Sequence, residues 1–147
     1  MLIFKRPSET EFRQVKRLLH QYQFELEKDI MQPDQFTILK SDDKLLAFGS
    51  LRVQDNYAEL ECVGVAEDYR GKGWGKMIVK KLLEQGPETI WLATSMPKYF
   101  EKFNFVPSKQ VPRELSRKIS PPDPFPPSLK PMPSKIRLKA MVFSKKK

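Results

Sequence analysis

The stretch YRGKGWGKM, Tyr69 to Met77, places glycines at 71, 73 and 75 behind Arg70, with Lys72 and Lys76 interleaved. Glycine reaches left-handed backbone conformations freely and lets main-chain N–H groups approach a ligand with no side chain in the way; the usual ligand of such a loop is a phosphate. Two familiar phosphate loops do not fit. The P-loop requires a glycine where Arg70 stands and Ser or Thr where Met77 stands, and the dinucleotide fingerprint requires a third glycine where Lys76 stands. After the loop, Trp74, Ile78, Val79, Leu82 and Leu83 recur at helical spacing while Lys76, Lys80, Lys81 and Glu84 fall on the other side, which predicts a helix over 72–85 ended by Gly86-Pro87. A helix start carries unpaired N–H groups and a partial positive charge, so the loop and helix together make an anion site that suits a pyrophosphate.

Outward from the loop, the pattern is that of an α+β chain. LIFKR at the start is strand-like, and Ser8 with Glu11 forms a capping box before a helix whose apolar face is Phe12, Val15, Leu18, Leu19 and Tyr22. QFTILKS, KLLAFGSLRVQ and NYAELECVGV read as three strands of an antiparallel meander, separated by the turn-prone pairs Asp42-Asp43 and Asp55-Asn56. TIWLAT follows as a buried-type strand, then a short helix around Lys98 to Phe103, an extended stretch at Phe105 to Pro107, and a last strand within KIRLKAMVF.

The 147 residues carry a net charge of +9, all of it from residues 108–147, which hold 11 basic and 2 acidic side chains; nine of the 13 prolines lie at or beyond Pro107. The expected organisation is therefore a neutral core over 1–107 and a basic, proline-rich segment over 108–147. A single cysteine rules out an internal disulfide, and the opening residues have too short an apolar run for a signal peptide or membrane span, so a cytoplasmic location is expected. Cys62 reads as a small core residue and His20 as a surface residue of the first helix; with one of each, no zinc site is expected. The basic tail by itself suggests nucleic acid, but beyond Pro107 only Phe125 and Phe143 accompany the lysines, too few aromatics for a single-strand binder.

The run VAEDYRGKGWG, from Val65 to Gly75, resembles the signature of the GNAT superfamily of acetyl-coenzyme A-dependent N-acetyltransferases, and IWLATSMPKYFEKFNFVP resembles the second half of that family's site. The resemblance implies a GNAT fold, a mixed, mostly antiparallel twisted sheet flanked by helices, and acetyl-coenzyme A as co-substrate with no metal. It implies that the backbones of Val63 and Val65, with Gly64 between them, pair with the pantetheine arm as an added strand. The N–H groups from Gly71 through Lys72, Gly73, Trp74 and Gly75 to Lys76 would take the pyrophosphate, with Arg70 and Lys72 as charge support.

An amine of pKa near ~10 is mostly protonated at neutral pH, so a base or water relay must remove a proton before acyl transfer. Glu59 matches the strand carboxylate that serves in the histone-acetylating branch, and Glu61, two residues on, is the second candidate. The tyrosine that protonates the departing thiolate in many members is replaced by Phe100; Tyr99 is adjacent, about 100° round a helix. A thiol of pKa near ~8.5 can leave as the anion, so this departure bears on rate rather than on reaction class. Asn104 stands where the family has glycine, and asparagine tolerates positive φ. The same segments resemble the acetyltransferase domain of N-acetylglutamate synthases, although Ser95 stands where those enzymes have an arginine and the amino-acid-kinase domain of their longer forms is absent. The resulting expectation is direct acetyl transfer to a small primary amine, with amino acids and acidic acceptors among the options and a homodimer left open. The alternatives are an acyl-coenzyme A sensor without turnover and a nucleic-acid or ribosome-associated protein.

Overall fold

Ser8 begins the first helix as the sequence requires: its Oγ accepts the Glu11 N–H at 3.2 Å while Glu11 Oε1 accepts the Ser8 N–H at 2.9 Å. The computed structural model describes residues 1–22, 32–55, 57–119 and 138–145, with the backbone alone at Arg117 and Lys118. It divides into two units, Met1–Pro87 and Glu88–Lys147. Among the described residues no helix is long and apolar enough to cross a membrane.

In the first unit, β1 (Leu2–Lys5), β2 (Phe36–Ser41), β3 (Lys44–Gln54) and β4 (Tyr57–Val65) pair antiparallel in that order, so the predicted meander is present and the opening strand joins its edge. Asp42 and Asp55 adopt positive φ in the tight turns that close the two hairpins. Helix α1 (Glu9–Gln21) buries Phe12, Val15 and Leu19 against Phe36, Ile38, Leu45 and Phe48, with Leu18 and Cys62 at the margin. Helix α2 (Trp74–Gln85) buries Ile78, Val79, Leu82 and Leu83. A Cβ on Gly49 of β3 would stand 2.7 Å from Leu82 Cδ1, so glycine there is what lets α2 approach the sheet. The helix ends because Pro87 forces the residue before it into extended backbone: Gly86 has φ −87° and ψ 175°.

The second unit pairs β5 (Thr89–Thr94) with β7 (Lys139–Ser144), and β7 with β6 (Val106–Pro107), all antiparallel. Helix α3 (Pro97–Glu101) lies between β5 and β6 in the chain. The last strand expected within 135–143 thus begins at Lys139; residues 135–137 and the proline run before them lie outside the described residues. Helix α4 (Arg113–Ile119) was not predicted. Its signals were Pro112 just before it, Glu114 in its first turn and Leu115 at i, i+4 from Ile119, and Leu115 is fully buried. The fold class is α+β.

Candidate active site

The loop helix starts two residues later than the predicted Lys72, and the glycines are the reason. Gly71 and Gly73 have φ of 83° and 85°, a left-handed conformation that turns the chain out of the short 3-10 turn at Glu67–Tyr69 and delays α2 to Trp74. Among the described residues no neighbouring atom lies within 4 Å of where a Cβ would project from either glycine, so the packing described there does not call for them. Gly73 is the N-cap and has no side chain to offer the first turn of α2. The loop therefore presents an uncapped helix start under open space, with Lys72 and Lys76 exposed beside it.

Arg70 does more than supply charge. Its Nε donates to the Val65 carbonyl oxygen at 3.3 Å and its guanidinium sits 4.5 Å over the Tyr22 ring, tying the loop to the end of β4 and to the C-terminal cap of α1. Sequence reasoning placed Tyr22 on the apolar face of α1; its buried hydroxyl has no hydrogen-bond partner among the described residues.

In β4 the strand alternation is broken one residue before Val63. Ser50 pairs with Glu61 and Phe48 with Gly64, so Gly49 alone faces both Cys62 and Val63, and Cys62 takes φ 54°. This bulge re-aims the strand: Cys62 packs toward the α1 core, Gly64 faces Phe48, whose ring would be 2.5 Å from an added Cβ, and Val63 Cγ2 lies 3.4 Å from a Cβ built on Gly49, on the α2 side. Cys62, expected as a small core residue, is only partly buried at the margin of that core, in a conformation the sequence did not disclose.

Before the bulge, Glu59 and Glu61 share a face with Arg52, which is the register partner of Glu59 on β3. Arg52 Nη2 donates to Glu59 Oε1 at 3.0 Å, and the Tyr57 hydroxyl donates to the same oxygen at 2.6 Å. Arg52 Nε lies 3.3 Å from Glu61 Oε1, an ion pair whose geometry is not that of an aligned hydrogen bond. Glu59 is 1% and Arg52 8% exposed, whereas the Glu61 side chain is 20% exposed. Burial pushes the Arg52 guanidinium toward losing its proton, but the carboxylates of Glu61 and Glu59 outweigh it and raise its pKa. Burial, then the hydrogen bond to Glu59, raises the Tyr57 hydroxyl beyond its ordinary range, so it stays protonated and donates. Arg52 and Tyr57 were missed in the sequence. Counting back from the Asp55-Asn56 turn, which pairs Gln54 with Tyr57, would have set Arg52 opposite Glu59.

In the second unit, Phe100 is buried in an aromatic cluster, with ring centroids 5.9 Å from Phe105 and 6.3 Å from Phe103; Phe143 of β7 extends it from Phe105 at 5.6 Å. Tyr99, beside Phe100 in α3, meets the Phe100 ring edge-on at 5.1 Å, Lys102 Nζ lies 5.7 Å over it, and burial raises its hydroxyl pKa. Asn104 has φ 69°, the conformation for which glycine is the usual choice.

Among curated proteins none matches the chain. Among solved structures, N-acetylglutamate synthase from Neisseria gonorrhoeae, complexed with coenzyme A and N-acetyl-glutamate, superimposes with a TM-score of 0.76 at 12% identity, over 98% of this chain and 35% of that one. This chain therefore spans about a third of that enzyme's length. Rv2747 from Mycobacterium tuberculosis, in complex with CoA and NLQ, gives a TM-score of 0.72 at 17% identity over 97% of this chain and 98% of that one. The ribosomal-protein-S18-alanine N-acetyltransferase from Escherichia coli gives 0.68 at 17% identity, over 98% and 94%. At these identities the likeness establishes the fold. The model of the "Acetyltransferase (GNAT) family" matches residues 3–105, well over half of the sequence, and on that match the chain belongs to the GNAT family of acetyltransferases.

Proposed function

We propose that the protein is an N-acetyltransferase that moves the acetyl group of acetyl-coenzyme A directly to a primary amine. The observation that carries this reading is the loop at Gly71 and Gly73: two left-handed glycines under open space, feeding an uncapped helix start. Acetyl-coenzyme A supplies the activated acyl group. The N–H groups from Gly71 to Lys76 hold its pyrophosphate, Lys72 and Lys76 add positive charge, and Arg70 braces the loop. Val63, Gly64 and Val65, past the bulge, offer main chain to the pantetheine arm.

An acceptor ammonium gives one proton to a carboxylate of β4, for which Glu59 and Glu61 are the two candidates. The freed lone pair forms the C–N bond at the thioester carbonyl, the C–S bond breaks with its electron pair staying on sulfur, and the second nitrogen proton passes to the thiolate or to water. Tyr99 is the proposed donor to sulfur, in place of the residue that is Phe100 here. Structural relatives in complex with N-acetyl-glutamate and NLQ, and one named for an alanine of a ribosomal protein, support an acceptor amine on an amino acid or a protein. The burial of Phe100 favours a second reading, an acyl-coenzyme A sensor without turnover. Thiol release from acetyl-coenzyme A, measured across amino acids, polyamines and peptides, separates the two: the first reading requires acceptor-dependent release, and tight coenzyme binding with no release for any amine would leave the second.

A further inference from the structure

Over β1, β2 and β3, beside the last turn of α2, the first unit holds a cavity that the coenzyme site does not use. We propose that it is a second binding site, for a free amino acid with an apolar side chain. Its volume is about 540 Å³, within the ~300 to 1,000 Å³ usual for small-molecule sites. It meets α2 only at Leu82 and Gln85. At about 1.5 Å per residue, Gln85 is roughly 16 Å along the axis from Trp74, where the helix starts behind the coenzyme loop. Among the described residues none of β4 or of the loop at 71–76 lines the cavity, so the inference stands apart from the acetyl-transfer reading above.

Three observations carry it. First, two opposite charges line the cavity without being spent on each other. Arg6 Nη1 donates to the backbone carbonyl oxygen of Asp34 at 2.6 Å, which fixes the guanidinium beside that residue but not on its carboxylate. Among the described residues neither Arg6 nor Asp34 has an ion-pair partner, whereas Lys5, the other cation of the wall, is held by Glu11 Oε1 at 2.7 Å. An amino acid carries a carboxylate and an ammonium on one carbon, so it matches a cation and an anion set side by side; an acid or an amine alone matches one of them. Second, Thr37 Oγ1 donates to Gln85 Oε1 at 3.2 Å, and Thr37 is 7% exposed, so a buried hydroxyl holds that amide in place. With its oxygen taken, the Gln85 side chain has its two N–H donors left for a carboxylate. Third, the floor is apolar. Leu51 and Val53 share a face of β3, and Val53 is 54% exposed although it stands on a paired strand. Phe4 makes a fixed wall beside them, with Lys81 Nζ 5.3 Å over its ring. An aliphatic side chain laid on this floor takes its apolar surface, and its own, out of water.

The probe is L-leucine, followed by titration calorimetry and thermal melts on the whole protein. Wild type should bind it with a Kd of about 1 mM or below and melt at a higher temperature as leucine is added. Leucinamide lacks the negative charge and N-acetyl-leucine the positive one, and each should bind about tenfold more weakly or worse. Glycine, which has no apolar side chain, should lose about tenfold as well. Arg6→Gln and Asp34→Asn, both at exposed positions, should each weaken leucine by about tenfold, and Val53→Asp, which sets a charge on the apolar floor, by at least as much. All three should bind coenzyme A as the wild type does. Leucine held as an acceptor beside the coenzyme would be indifferent to these substitutions, so an unchanged leucine affinity in Arg6→Gln and Asp34→Asn would overturn the assignment. Leucinamide or N-acetyl-leucine binding as tightly as leucine would overturn it too, and so would a wild type that gives neither heat nor a melting shift at about 20 mM leucine. The analogue series is read on the wild type, so it decides the matter even where a substitution disturbs the turn at Pro33–Gln35.

Discussion

Replacing Glu11 by glutamine tests how the first helix is fastened to the sheet. Glu11 Oε1 accepts from Lys5 Nζ of β1 at 2.7 Å and from the Ser8 N–H, and its Oε2 accepts from Lys40 Nζ of β2. Burial alone would raise its pKa; the hydrogen bonds from Lys40, Lys5 and Ser8 outweigh burial and hold it at about 2, against 4.5 for the free group. Because the folded value lies below the unfolded one, this stability is fully present above pH 4.5 and is lost as pH falls toward 2. At about 1.4 kcal/mol per unit the gap corresponds to roughly 3 kcal/mol. The Lys5 side chain is 38% exposed, so solvent screening brings the figure to about 2 to 3 kcal/mol. Urea unfolding of wild type and Glu11→Gln should differ by that amount at pH 7, and linkage reduces the difference by about two-thirds by pH 3. Other carboxylates cancel, since both proteins carry them. A difference that stays constant from pH 7 to pH 3 would show that Glu11 is not the group responsible, and the account of how α1 is held would fail.

Three further outcomes are expected. Gly73→Val should abolish coenzyme A binding by filling the space over the loop, with a stability cost of only about 1 to 2 kcal/mol from the left-handed backbone; calorimetric binding as tight as wild type would remove the loop from the site. Gly64→Ala should destabilise by about 1 to 3 kcal/mol in thermal melts, because its Cβ would be 2.5 Å from Phe48 Cζ, an aromatic held in the core; an unchanged melting temperature would mean that the ring can move aside. Tyr99→Phe should lower kcat about tenfold or more if the hydroxyl protonates the departing sulfur, whereas a change below about threefold would leave the thiolate leaving unassisted.

The elements were legible where the signal is local. The capping box of Ser8 and Glu11, the heptad-like face of α1, the Gly86-Pro87 stop and the bounds of β3 and β5 are consequences of neighbouring residues, and each is found where the sequence puts it. The glycine loop was legible for the same reason, since left-handed backbone is a property of the residue itself. Helix α4 carried a weaker local signal, one buried leucine behind a proline. What the tertiary structure decided is everything that depends on which residue stands across a strand pair. Strand alternation puts Glu59 and Glu61 on one face but does not say what meets them there. Their difference comes from Tyr57, two residues back on the same strand, and above all from Arg52, which lies 7 positions from Glu59 in the chain and is brought to it by the β3–β4 register. The bulge at Cys62, which turns Val63 to the opposite side from Gly64, is likewise a mismatch between two strands, with no mark in either strand read alone.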